Sequence, residues 1–177
     1  MSNLLFAAAV AALGVAAAPA SAADPREEAR VRQTVLAIPT NIDLRNFEAV
    51  APLFASPVLI DYTSLWGGEP ASMTPAELMT SWRGIVPGFD ATWHEISNIE
   101  VQVNGATATA NSDVDGRHWL GERLWRPIGR YEFRLAKQGE QWKVTHMTFL
   151  MTREEGERAL VQEAQARARS LSPSAAR

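Results

Sequence analysis

The sequence predicts an α+β fold, with helices covering one face of a mostly antiparallel sheet, and three observations carry that prediction. Apolar residues recur at helical spacing as far as Pro87-Gly88 and at a spacing of two beyond it, so the hydrophobic period changes once along the chain. Thr74-Pro75-Ala76-Glu77 is a capping box with Pro at the first helical position, and Asn104-Gly105 is the strongest short hairpin signal. Helical segments followed by a strand meander bury their apolar faces most simply as two layers.

The first 22 residues read as a separate object. Leu4 to Ala18 is uncharged and Ala-rich, and Pro19 precedes Ala20-Ser21-Ala22, an A-x-A cleavage pattern, so a secretory leader cut after Ala22 and a periplasmic or secreted protein are expected. Met1-Ser2-Asn3 carries no Lys or Arg, which leaves an uncleaved N-terminal membrane anchor as the alternative.

The domain is expected over residues 23–169, with a disordered tail over 170–177. Asp24-Pro25-Arg26-Glu27-Glu28 opens a helix with a cap, a Pro in the first turn and acids at the positive end of the dipole. Val31, Val35 and Ile38 continue it, and Pro39 is expected to end or kink it, leaving Thr40 to Asp43 as an irregular step. A second helix is expected over Arg45 to Ala55, and a short strand over Pro57 to Tyr62. The helix that Thr74 caps carries Leu78, Trp82, Ile85 and Val86 on its buried side and stops at Pro87-Gly88.

Four strands follow. Thr92 to Val103 places His94 and Ile96 on one face but continues with Ile99, Val101 and Val103 out of phase, which predicts a bulge near Asn98. The strand returns from Ala106 to Leu120, then Gly129 to Ala136 puts Tyr131, Phe133 and Leu135 on one face. Gln141 to Met151 is expected to put Trp142, Val144, His146 and Thr148 together, and Arg153 to Arg169 forms a charged helix. A sheet bent by a bulge leaves room for an apolar pocket between itself and the helices.

Composition narrows the chemistry. At 177 residues, 46% apolar and 21% charged, the chain suits one ordinary globular domain. A net charge of -3 without a basic cluster argues against a nucleic-acid partner, and the absence of cysteine removes thiol nucleophiles and disulfides. No phosphate-cradling glycine loop, no G-x-S-x-G elbow and no metal-ligand spacing among the three histidines is present, so no cofactor or metal is expected. Acid-base chemistry by histidine and carboxylate is what remains. His94, at the start of the long strand, is the candidate general base, and Asp43 the carboxylate to orient it. Asp43 equally suits an N-cap of the second helix, and His94 a hydrogen-bonded core histidine. Tyr62, Trp66, Trp119 and Tyr131 suit either a pocket wall or a core, as do His118 and His146, which sit in apolar alternation.

Asp61-Tyr62-Thr63-Ser64-Leu65-Trp66-Gly67-Gly68-Glu69-Pro70, then Trp82-Arg83-Gly84-Ile85-Val86-Pro87-Gly88-Phe89-Asp90-Ala91-Thr92-Trp93-His94, then His118-Trp119-Leu120-Gly121, Gly129-Arg130-Tyr131 and Gly139-Glu140-Gln141-Trp142-Lys143-Val144 resemble a SnoaL-like protein of the nuclear transport factor 2-like superfamily. The resemblance spans about Asp24 to Leu160 and implies a cone-shaped α+β barrel, cystatin-like, around a deep apolar pocket, often in a homodimer packed through sheet faces. Relatives include scytalone dehydratase, hexachlorocyclohexane dehydrochlorinase, ketosteroid isomerase and the polyketide cyclases. In several of the eliminating enzymes an Asp after the first helix works with a His at the start of the long strand, and these fall on Asp43 and His94. His118 falls where some dehydratases carry a second pocket histidine able to act as acid. The tyrosine that several dehydratases hold one helical turn before the Asp has no counterpart, since Ile38 and Pro39 stand there.

These residues imply a cofactor-independent dehydratase or isomerase for a small, apolar molecule, polycyclic ones included, with Tyr62, Trp66, His118, Trp119, Tyr131 and His146 as the binding set. A non-catalytic binding module for hydrophobic ligands is the alternative.

Overall fold

A computed structural model describes residues 24–171. The leader expected over residues 1–22 and the end of the tail lie outside the described residues.

Helix α1 (Pro25–Asp43) starts where its cap requires: the Asp24 carboxylate accepts the Arg26 N–H at 2.9 Å. Its buried stripe is Val31, Val35, Ile38 and Ile42. Contrary to expectation the helix runs through Pro39 and ends only at Asp43. Pro39 has no N–H to donate, and the turn after it is held by side chains that bond back: Thr40 Oγ1 donates to the Leu36 carbonyl and Asn41 Nδ2 to the Ala37 carbonyl, both at 2.8 Å. Asp43 is therefore fixed on the last helical turn and not in a loop or at an N-cap.

The expected second helix shrinks to one turn, α2 (Phe47–Val50), followed by a 3-10 turn at Ala51–Leu53, because Pro52 cannot continue an α ladder. Strand β1 (Phe54–Asp61) follows directly, then a helical turn α3 (Thr63–Trp66) and a three-residue strand β2 (Ala71–Met73). Helix α4 (Pro75–Arg83) carries the predicted capping box: Thr74 Oγ1 accepts the Glu77 N–H, and the Glu77 carboxylate accepts the Thr74 N–H at 2.8 Å.

The long strands are β3 (Ala91–Asn104), β4 (Thr107–Leu120), β5 (Arg123–Gln138) and β6 (Gln141–Gly156). They make a six-stranded sheet in the order β2-β1-β6-β5-β4-β3, antiparallel except where β1 runs parallel to β6. The sheet is curved but does not close into a barrel, since β2 and β3 remain edges. The bulge predicted near Asn98 is present: register shifts between Ser97 and Glu100, and Asn98 adopts φ 50°.

Two boundaries differ from expectation for one reason. Trp125 pairs with Gly156 and Arg126 with Glu155, so β5 starts earlier and β6 ends later than their apolar cores suggest, and the Arg126–Glu155 ion pair at 2.8 Å reinforces the extension. The C-terminal helix is accordingly shorter at its start and runs past Arg169, as α5 (Leu160–Leu171). An irregularity in β6 pairs Leu135 with Val144 but Arg134 with His146, which skips Thr145. Beyond it Met147 and Phe149 face inward, and His146 and Thr148 do not continue the face of Trp142 and Val144.

The core lies between α1 and the concave face of the sheet, where Val31 and Ile38 meet inward residues of β4, β5 and β6 such as Ala110, Phe133 and Val144. Each such aliphatic or aromatic side chain contributes about 1.5–3 kcal/mol on burial. Helix α5 packs on the turn at Val86–Gly88, and Gly88 leaves no room for a side chain there: a Cβ would stand 1.8 Å from the Ala164 carbonyl oxygen.

Candidate active site

The helical layer and the sheet enclose a cavity of about 220 Å³. Its walls are mainly apolar: Ile38, Pro39 and Ile42 from α1, Trp82 and Ile85 from α4 and the segment after it, and Met147 and Phe149 from β6 are among the contributors. This lies below the roughly 300–1,000 Å³ typical of drug-sized ligand sites, so a compact molecule fits it.

His94 enters from the start of β3, and the end of α1 brings Asp43 behind it. One Asp43 oxygen stands 2.7 Å from His94 Nδ1 and accepts the Thr92 hydroxyl at 2.8 Å; the other accepts the His94 backbone N–H at 2.8 Å. Thr92 and His94 share a face because a strand repeats every two residues. Both partners are mostly buried, with side-chain exposures of 12% for Asp43 and 13% for His94. Burial opposes ionisation of Asp43, but its hydrogen bonds to the His94 ring and backbone, with the Thr92 bond, outweigh it and hold the carboxyl below its ordinary range. An ionised carboxylate only accepts, so Nδ1 carries a proton, and in the neutral imidazole the lone pair stands on Nε2. Among the described residues no hydrogen bond reaches Nε2, and His94 lines the cavity.

Two residues along β4 from Gly116, His118 also lines the cavity, its ring edge-on to His94 at 5.2 Å between centroids. Gly116 makes this approach possible: a Cβ there would lie 3.3 Å from His94 Cδ2 and 3.4 Å from His118 Cε1. His118 is boxed by Phe89 at 5.1 Å and Trp125 at 4.6 Å. Burial first, then the neighbouring His94, pushes its pKa down to about 3 against the backbone of Trp125 and Gly116 and the Asp43 charge, which favour the charged form, so this imidazole is neutral at ordinary pH; among the described residues its buried Nδ1 has no hydrogen-bond partner. A neutral imidazole is a poor proton donor, which weighs against the acid role that the resemblance implies.

Of the other expected site residues, Tyr62, Trp66 and Tyr131 line the cavity. Burial pushes both phenols upward, with Asp43's charge adding to the effect on Tyr131, so both remain protonated. Trp66 is 46% exposed, which places it at the rim. Trp119 and His146 do not line the cavity. Trp119 alternates with His118 and so points to the other side of the sheet, and His146 is displaced by the irregularity at Thr145, where its Nδ1 lies 3.1 Å from the Thr145 hydroxyl. Trp125 and Phe89, which hold the His118 ring, are not among the residues singled out from the sequence. Carrying the alternation of Tyr131 back through Gly129 and Pro127 reaches Trp125, and the Gly121 turn and Pro127 hide that continuation from local pattern.

Comparison with known proteins agrees with this architecture. A model of the SnoaL-like domain matches residues 24–148. Among curated proteins none matches in sequence. The Kfla4162 protein from Kribbella flavida superposes with a TM-score of 0.70 at 21% identity, over 82% of this chain and 99% of its own. A scytalone dehydratase candidate from Novosphingobium aromaticivorans DSM 12444 gives 0.66 at 19% identity, over 75% of this chain and 88% of that one. The hexachlorocyclohexane dehydrochlorinase LinA-type3 from Novosphingobium barchaimii LL02 gives 0.63 at 13%, over 75% and 91%. At these identities the structural likeness is one of fold. With most of the described residues matched by the domain model, the chain belongs to the SnoaL-like domain family.

Proposed function

We propose that this protein is a cofactor-independent lyase or isomerase in which His94 removes a proton from carbon and Asp43 orients it. The observation that supports the reading is the 2.7 Å contact between Asp43 and His94 Nδ1, which leaves Nε2 as a base facing an apolar cavity. In an elimination, Nε2 takes the proton beside the leaving group, the C–H electron pair becomes the new π bond, and the leaving group departs with the electrons of its own bond. In an isomerisation, the same abstraction beside a carbonyl gives an enolate that is reprotonated at another carbon. The resulting imidazolium is stabilised by Asp43 in both cases. Elimination is the leading reaction, because the similar structures include a dehydrochlorinase and a scytalone dehydratase candidate.

His94→Ala is expected to abolish turnover of a substrate found by screening while circular dichroism and thermal unfolding stay near those of the native protein. Undiminished turnover in a folded His94→Ala protein overturns the assignment. The second reading, a non-catalytic carrier, is favoured by the apolar pair Ile38 and Pro39 where relatives with a helping tyrosine would place it. It predicts that a copurifying ligand leaves unchanged in mass.

Export is part of the proposal, with the leader removed after Ala22 and the protein working in the periplasm or outside the cell. Mass spectrometry of the native N-terminus tests it. Pairing of two copies through the outer sheet face, where Trp93 is 55% exposed, is proposed likewise, and sedimentation with a Trp93→Lys variant tests that.

A further inference from the structure

Helix α1 closes in a Schellman arrangement just after Asp43: the Arg45 N–H donates to the Ile42 carbonyl at 2.9 Å and the Asn46 N–H to the Asn41 carbonyl at 2.8 Å. This closure puts the residue after the cap in the left-handed region, which glycine enters without steric cost. Arg45 stands there instead, at φ 58°. A side chain kept where the backbone favours none points to a task for that side chain. The guanidinium crosses to the segment before β3, where Nη2 donates to the Phe89 carbonyl at 2.6 Å and to the Asp90 carbonyl at 3.2 Å.

That segment is already fixed from its other side. The Asp90 N–H donates to the Trp119 carbonyl at 2.8 Å, and the Asp90 carboxylate accepts the Gly121 N–H at 2.7 Å and Arg167 Nη1 at 2.6 Å. The Phe89 ring is buried, stacked on Trp125 at 6.2 Å and close to His118. Arg45 thus ties the end of α1 to an anchored point of the sheet. Towards the start of the helix Arg32 donates to the Ile99 carbonyl at 3.0 Å, so α1 lies along β3 with an arginine on a backbone carbonyl at each end and Asp43 between them. Without Arg45, alignment at this end would fall to the Asp43 carboxylate, whose two oxygens already hold the His94 ring, the His94 N–H and the Thr92 hydroxyl.

Resting on the reading of His94 as the base, we infer that Arg45 is a positioning residue for the Asp43–His94 pair: it holds the end of α1 against Phe89 and Asp90, so that the carboxylate meets the His94 ring and not water. Because Arg45 is itself exposed, its loss should show in the site before it shows in the stability of the domain.

The test reads the ring nitrogens of His94 by nuclear magnetic resonance in the ligand-free, nitrogen-15-labelled chain at about pH 8.5, where an imidazole of ordinary pKa is neutral. His94→Ala identifies the signals. The native ring should be one tautomer with a slowly exchanging proton on Nδ1. Arg45→Gly removes the guanidinium and relieves the backbone, whereas Arg45→Met removes the donors and keeps the left-handed strain. Both are expected to speed exchange of that proton about tenfold or more and to raise the other tautomer to roughly a tenth of the ring or more, while Arg45→Lys restores part of the native signal. On a substrate found by screening, kcat should fall about tenfold in both with KM nearly unchanged. Arg83→Met, which removes another exposed arginine, paired with Glu48, should leave the ring as in the native protein. A native His94 signal in folded Arg45→Gly, a change seen in Arg45→Met alone, or the same change in Arg83→Met overturns the inference and leaves the reading of His94 untouched. That reading falls separately, on turnover that survives His94→Ala, since the ring signals need no substrate.

Discussion

Asp43 grips His94 at two points: one carboxylate oxygen stands 2.7 Å from the ring Nδ1 and the other accepts the same residue's backbone N–H at 2.8 Å. The ring's orientation and the start of β3 are thus set by one side chain on the last turn of α1. Asp43→Asn keeps the shape but offers an N–H where an acceptor is needed, so one of the three bonds must break and the tautomer of His94 is no longer imposed. Activity on an identified substrate is expected to fall roughly 10²–10⁴-fold, mainly in kcat, with binding retained. A loss confined to KM would show that Asp43 serves binding instead.

Gly116 separates the two cavity histidines, and its replacement isolates their geometry from their chemistry. In Gly116→Ala the new Cβ would meet His94 Cδ2 at 3.3 Å and His118 Cε1 at 3.4 Å, close enough to displace rings but not to break the strand. Stability should change by no more than about 1 kcal/mol, whereas turnover should drop about tenfold or more because the base is displaced from its reacting proton. The comparison of urea midpoint with kcat/KM decides it, and parallel losses in both would contradict the positioning argument.

The same contrast between local pattern and long-range pairing explains what could be read from the chain. The capping box at Thr74, the hairpin at Asn104-Gly105 and the bulge at Asn98 are local signals, and each appears where the residues place it. The pair Asp43 and His94 is also legible, although Pro39 masks the helical spacing of Ile38 and Ile42 that carries Asp43 on the last turn of α1. What escaped depended on partners far away in sequence. Residues Arg153 to Gly156 look helical by composition but pair with Trp125 to Ile128, and the skipped Thr145 that turns His146 aside is visible only in register with β5.

Gly88 should be the least replaceable glycine near the site. A Cβ there would lie 1.8 Å from the Ala164 carbonyl oxygen and 2.8 Å from the Ala164 Cα, backbone atoms of a buried helix face that cannot rotate away. Gly88→Ala is expected to cost about 1–3 kcal/mol and to loosen α5 in particular. Hydrogen exchange should therefore speed up over Leu160 to Ala168 more than over β4 and β5. Uniform acceleration across the domain would instead mean that α5 and the sheet unfold as one unit.

His118 gives the fold a pH dependence with a definite sign. Unfolded, the imidazole titrates at its ordinary value of 6.5; folded, burial holds it down to about 3. Between these values the unfolded chain binds a proton that the native state refuses, so stability falls as pH drops from about 6.5 and levels off only near 3. Above 6.5 both states are neutral and the residue contributes no slope. Carboxylates add their own acid loss lower down: Asp115, bonded first by Arg126, is held at about 2, and its stabilisation disappears only as pH falls from its ordinary 3.8 toward that value. The window from about pH 6.5 to 4.5 lies above that range, and the difference between native protein and a His118→Asn variant isolates the histidine there. Urea unfolding at several pH values should show the native protein losing up to about 1.4 kcal/mol per pH unit relative to the variant. Parallel curves in that window would mean that His118 takes up its proton as readily in the folded cavity as in water, and the neutral imidazole facing His94 would have to be abandoned.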